Sequence, residues 1–226
     1  MLFCYNVYGV IMKKTIIFII LLIITGITSV YLLYRFNYLP HKKYTDKYFG
    51  IVTYKSETDA DNDGVDDQTD IINSVKVYLA ANPKYKSKYY VGGYPDDEYG
   101  VCTDVVAQGL KGAGYDLMEL VSIDKENNHA SYNYEKADKN IDFRRVRNLK
   151  IYFDNNAITL TTDIKKIDEW QGGDIVVFNG HIGIISEHRN KNGVPFVYHH
   201  ANPIQRYYEE DVLSIRNDII GHYRVS

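Results

Sequence analysis

The chain of 226 residues has only two cysteines, no internal repeat, no low-complexity tract and no excess of base. Cys4 stands ahead of a long apolar run and Cys102 far beyond it. The two are expected on opposite sides of a membrane, so no intrachain disulfide is expected. A lone thiol kept in an exported domain then needs a reason. From Arg35 onward, 24 Lys and Arg face 29 Asp and Glu, a mild acidic balance. Nucleic-acid recognition needs clustered base and is excluded on that ground. No close-spaced H-x-x-x-H or C-x-x-C pair is present, so a zinc centre has no anchor. The roughly 190 residues beyond the apolar run suffice for one domain with a real core.

The run itself, Thr15 to Tyr34, is twenty residues without a charge, preceded by Lys13 and Lys14 and followed by Arg35. That is about the length of a helix crossing a bilayer. No small-x-small cleavage site stands out, and residues 30–34 stay apolar after the small residues 25–29. The expectation is an uncleaved signal anchor over residues 1–35, making the protein single-pass in the cell membrane. Flanking charge does not choose an orientation, because Arg35, Lys42 and Lys43 oppose Lys13 and Lys14.

The most specific local pattern is D-A-D-N-D-G-V-D-D-Q-T-D, from Asp59 to Asp70. Carboxylates fall at loop positions 1, 3, 5, 9 and 12 (Asp59, Asp61, Asp63, Asp67, Asp70), Gly64 at position 6, and the main-chain carbonyl of Val65 at position 7. This is the spacing of an EF-hand-type Ca2+ loop, in which oxygens converge on a hard cation and a glycine permits the sharp turn. Position 12 is Asp where the longer Glu is usual, which leaves a place for water. The ion is expected to be structural, and calcium at this kind of affinity places the domain outside the cytoplasm.

Residues 36–58 read as a polar stalk, and residues 59–226 as the domain. Ile71, Val75 and Leu79 have helical spacing up to Asn82-Pro83, and Lys84 to Gly100 reads as loop. A second helix opens at Cys102 and ends at Gly112 and Gly114, with a short helical turn over 116–121. Residues 124–140 read as loop, and a third helix follows from Val146 to about Asn155. The rest reads as strands: 174–178, 181–186, 194–200 and 219–225. Helices first and an antiparallel sheet afterwards make an α+β domain.

Cys102 begins its helix, where free N–H groups and the macrodipole stabilise a thiolate or an oxyanion. His181 opens a strand in G-H-I-G-I-I directly after a tight turn, and His199 and His200 end F-V-Y-H-H on the next strand. Alternation allows only one of these two to face His181. A cysteine, a histidine base and a polar group orienting the base form a cysteine-hydrolase triad. The order helix-initial Cys, G-D-I-V-V-F at 173–178, G-H-I-G-I at 180–184 and a strand-end His resembles the NlpC-type papain-like cysteine peptidases. Further motifs resemble the YijF-like family of exported bacterial proteins of unknown function: Y-G-V-C-T-D-V-V at 99–106, N-I-D-F-R-R-V at 140–146, E-D-V-L at 210–213 and G-H-Y-R at 221–224. The likeness runs from about Tyr54 to Val225. Phe143 stands where it leads one to expect a His, and Arg147 where a Pro is expected.

The resemblance implies Cys102 as nucleophile, His181 as base and His199 or His200 as the orienting residue, on a papain-like fold. Tyr99 and Asp104 beside the nucleophile are expected to shape the oxyanion site or the helix start. Arg144, Arg145, His222 and Arg224 form a candidate cluster for a substrate carboxylate, or else ion pairs tying helix to last strand. The expected activity is thiol hydrolysis of cell-wall amide bonds, with peptidoglycan stem peptides as partner and no organic cofactor. Acyl transfer to another envelope substrate and a non-enzymatic calcium-dependent binding module stay open beside it.

Overall fold

The computed structural model describes the backbone of residues 2–225 and the side chains of residues 11–225, so the side chain of Cys4 lies outside the described residues. The chain divides into two units, one ending at Pro40 and the other starting at His41.

The first unit is helix α1, Leu2–Arg35. Its span Ile11–Arg35 has a mean hydropathy of 2.8. Apolar side chains from Ile16 to Leu33 are exposed all round, the pattern of a helix whose solvent is lipid. Thr15, Thr25 and Thr28 return their hydroxyls to the carbonyls of Ile11, Leu21 and Ile24, which leaves little unsatisfied on that surface. Among the described residues this is the one helix long and apolar enough to cross a membrane.

The second unit begins earlier than its hydrophobic pattern predicts. Strand β1 (Tyr44–Thr45) pairs with His188 and Arg189, and a 3-10 helix follows at Asp46–Phe49. Asp46 is buried and bonds the Nε of buried Arg189 at 2.5 Å. Residues 41–58 are therefore part of the folded unit and not a stalk. A two-residue strand carries no readable period, and the burial of Asp46 rests on the distant Arg189 together with a bond from the Thr53 hydroxyl.

Helix α2 (Asp67–Ala80) starts at Asp66, whose side chain accepts the Thr69 N–H and caps it. Two short parallel strands, β2 (Lys84–Tyr85) and β3 (Tyr99–Gly100), bracket the predicted loop and lead into α3 (Cys102–Gly112). Gly109 lets α2 and α3 come close, since a Cβ there would lie 2.6 Å from Val75. Helix α4 (Leu117–Asn127) is longer than the predicted turn. Its buried face runs Leu117, Val121, Asp124, Lys125, so charge hides the helical pattern. Those charges find partners inside: Tyr132 and Asn155 donate to Asp124, and Lys125 pairs with Asp142 at 2.9 Å. Helices α5 (Lys139–Asp142) and α6 (Val146–Asn156) complete the layer.

The sheet adds β4 (Ile158–Thr159), β5 (Ile175–Phe178), β6 (His181–Arg189), β7 (Pro195–Tyr198), β8 (Glu209–Glu210) and β9 (Ile219–Arg224). Its order is β4-β9-β5-β6-β7-β8 with β1 also on β6, and every pairing is antiparallel. Ile175, Val177, Ile182, Ile184 and Tyr198 face the helices, in one core with Ile71, Val75, Val105 and Leu110. Val176, Phe178, Ile185 and Val197 face the other way, under Trp170, Val212 and Leu213. The domain is α+β, as the order of elements predicts.

Candidate active site

Cys102 is the first residue of α3, held there by its neighbours. Asp104 accepts the Val101 N–H at 2.8 Å and takes two bonds from buried Arg144, at 2.6 and 2.9 Å. Tyr99, by contrast, carries Lys88 over its ring and takes no part in this network. Arg144 thus holds the carboxylate that shapes the start of the nucleophile's helix. Replacing Arg144 by Met leaves Asp104 buried and unpaired, and a loss of about 3–5 kcal/mol in denaturant unfolding is the expected result.

The β6–β7 ladder starts only at Ile184–Tyr198, so His181 and Ile182 extend beyond the end of β7. There the Cys102 sulfur meets the N–H groups of Ile182 and Thr103. Burial nevertheless dominates and pushes the thiol up to about 11, with those N–H groups opposing it. The expectation of a lowered pKa is therefore corrected: enclosure outweighs the helix N-terminus, and the resting thiol is neutral.

His181 Nε2 lies 3.0 Å from His199 Nδ1, and His199 Nε2 lies 3.1 Å from Glu210 Oε2. Gly183 makes this possible, because a Cβ there would stand 2.7 Å from the Tyr198 carbonyl and 3.2 Å from His199 Cβ. The Glu210 carboxylate sets the tautomers. When ionised it accepts from His199 Nε2–H, so His199 Nδ1 accepts from His181 Nε2–H, and His181 Nδ1 keeps its lone pair. A protonated Glu210 reverses every donor. His200 is outside this relay. Its ring meets Tyr85 and Tyr208 edge-on, at 5.2 and 5.1 Å.

Glu210 is the member of this candidate site that spacing alone does not reveal. Burial pushes its carboxyl up to about 7. Burial likewise pushes His181 and His199 down to about 3 and His200 to about 4. An unfolded histidine titrates near about 6.5, so each of the three contributes stability above that value that is lost as pH falls towards 4. Glu210 acts oppositely, contributing below about 4.3 and losing it as pH rises to about 7. His188, held up by its bond with Glu209, acts in the same sense as Glu210, and three groups outweigh these two, so the melting temperature should fall between pH 7 and pH 5. A flat profile would contradict burial of the neutral imidazoles.

The candidate carboxylate-binding cluster does not form. Arg144 serves Asp104, Arg145 reaches Asp142 and Glu135, and His222 and Arg224 converge on buried Asp174. Each of these side chains already has a carboxylate partner. Phe143 belongs to the helix-side core against Tyr94, and Arg147 pairs with Glu135 at the surface. Polar atoms do remain open near the start of α3. Tyr78 Oη, Thr103 Oγ1 and His200 Nδ1 are buried without a hydrogen-bond partner among the described residues.

For metal chemistry, Asp59, Asp61 and Asp63 gather their carboxylates, but Asp67 does not join them. Its oxygens accept from Thr58, the Ala60 N–H and Tyr115, so Asp67 is corrected from ligand to a tie between loop and helix. The ninth loop position faces inward here, because α2 begins at Asp67 itself.

Residues 72–225 match the family described as Domain of unknown function (DUF1287). The chain is 38% identical over 155 residues to a protein of Escherichia coli (strain K12) described as "Uncharacterized protein YijF", covering 65% of this chain and 74% of that relative. No solved structure matches. With more than half its length matched from α2 to β9, Cys102, His181, His199 and Glu210 included, the chain belongs to the DUF1287 family.

Proposed function

We propose that the protein is a membrane-anchored, extracytoplasmic thiol hydrolase of papain-like, NlpC-type architecture, cleaving cell-wall amide bonds with peptidoglycan stem peptides as its substrate class. The observation that supports this best is the buried relay His181–His199–Glu210, whose first histidine adjoins Ile182, the residue whose N–H meets the sulfur of a helix-initial cysteine. A carboxylate at the far end of two histidines has the polarity needed to make the near nitrogen a base. The motif order G-D-I-V-V-F, G-H-I-G-I supports the architecture, and the apolar α1 supports the anchor.

In this mechanism Cys102 Sγ attacks the amide carbonyl while His181 Nδ1 takes the thiol proton. Because burial favours both neutral forms, transfer accompanies attack and does not precede it. The developing oxyanion meets the Cys102 and Thr103 N–H groups at the start of α3, which the sulfur gives up as it bonds to carbon. As the tetrahedral centre collapses, the C–N bond breaks and the amine leaves with the proton from His181. Water then gives its proton to His181 and its oxygen to the acyl carbon, releasing a carboxylic acid and restoring the thiol. Tyr78 and His200, with unpartnered polar atoms, are placed to receive substrate amides. The test is amine release from isolated peptidoglycan by the full chain in detergent, with His181→Ala as control. Equal release by both proteins would refute the mechanism.

A further inference from the structure

The proposed chemistry leaves the acidic loop unused. Asp59, Asp61 and Asp63 each place a carboxylate oxygen within 4.8 Å of the other two. Oxygens held about 2.4 Å from one calcium ion are at most about 4.8 Å apart, so the three fit around a single ion. An independent observation comes from the helix. Asp70, in the first turn of α2, is 8% exposed, and its Oδ2 is buried without a hydrogen-bond partner among the described residues. A buried carboxylate oxygen is ordinarily satisfied, and one that is not points to a missing ligand. Asp70 stands at the twelfth position of the same loop, outside the trio of oxygens already close enough for one ion, and unlike Asp67 its Oδ2 has no hydrogen-bond partner among the described residues that would hold it away.

We propose that the loop and α2 form a calcium site, in which Asp59, Asp61, Asp63 and Asp70 supply carboxylate oxygens and Val65, at the seventh loop position, supplies its main-chain carbonyl. Several carboxylates and a carbonyl on a flexible loop suit calcium, whereas magnesium demands a tighter octahedron and keeps most of its water. The site's position suggests what it does. A Cβ on Gly114, just after α3, would lie 3.2 Å from Asp61, so the loop rests against the end of the helix that carries Cys102 at its other end. The ion ties the start of α2 to the end of α3, and its binding free energy stabilises that pair.

The test is calorimetric titration of the chelator-stripped full chain in nonionic detergent with calcium chloride, and separately with magnesium chloride. One saturable calcium site, at least tenfold weaker magnesium binding and a melting temperature that rises with calcium are expected. Asp61→Asn, at an exposed position, and Asp70→Asn should each weaken calcium binding at least tenfold. The first variant tests the site without disturbing the core. Absence of saturable calcium binding, magnesium binding of equal strength, or unchanged affinity in either variant would overturn the assignment. Binding is read without turnover, so the outcome is independent of the proposed hydrolysis.

Discussion

Cys102→Ala should lower amide hydrolysis by at least about a thousandfold, with melting temperature and calcium response unchanged. In the proposed mechanism the thiol forms the acyl intermediate, and losing a nucleophile commonly costs about 10³–10⁶ in rate. Its side chain is small and half-buried at a helix start, so the cavity left by Ala is minor. Cys102→Ser should be nearly as inactive, because a buried hydroxyl is harder still to deprotonate. Residual activity above a few per cent in either variant would move the nucleophile elsewhere. The resting protein should also lack the thiolate absorbance near pH 7, since burial pushes the thiol up to about 11.

Glu210→Gln should remove the pH dependence along with most of the rate. In the unaltered protein, activity should rise with pH through about 7, where Glu210 ionises and turns the relay so that His181 Nδ1 becomes a base. The sign follows from the tautomers: acid reverses the donors and protonates the base nitrogen. Gln cannot ionise, so the limb near pH 7 should vanish and the rate should drop about 10²–10⁴-fold, the scale of losing general-base catalysis and the carboxylate that orients it. His199→Ala breaks the relay nearer its base and should cost more. A Glu210→Gln profile that still rises through about pH 7 would assign that ionisation to another group.

Local signals made part of this site legible. Cys102 and His181 stand out because a helix start and a post-turn strand position can be read from neighbouring residues. The alternative between His199 and His200 needed the register, since Gly183 clears space for one histidine and not the other. Glu210 stands in the E-D-V-L motif, but its place against His199 is not readable there, because β8 is two residues long and its partner Val197 lies thirteen positions back. The arginines misled for a similar reason. Asp104 and Asp174, their buried counterions, are distant in sequence and fill the donors that a substrate was expected to occupy. In α4, Asp124 and Lys125 conceal a helix face that only their buried partners explain.

The most direct test of the central claim is mass spectrometry of the full chain, acid-quenched during digestion of isolated peptidoglycan in calcium-replete ¹⁸O-water. The account predicts an acyl adduct on the peptide containing Cys102 and wall fragments with ¹⁸O in a new carboxylate. An intact wall with no adduct, or the same fragments released by Cys102→Ala, would contradict it.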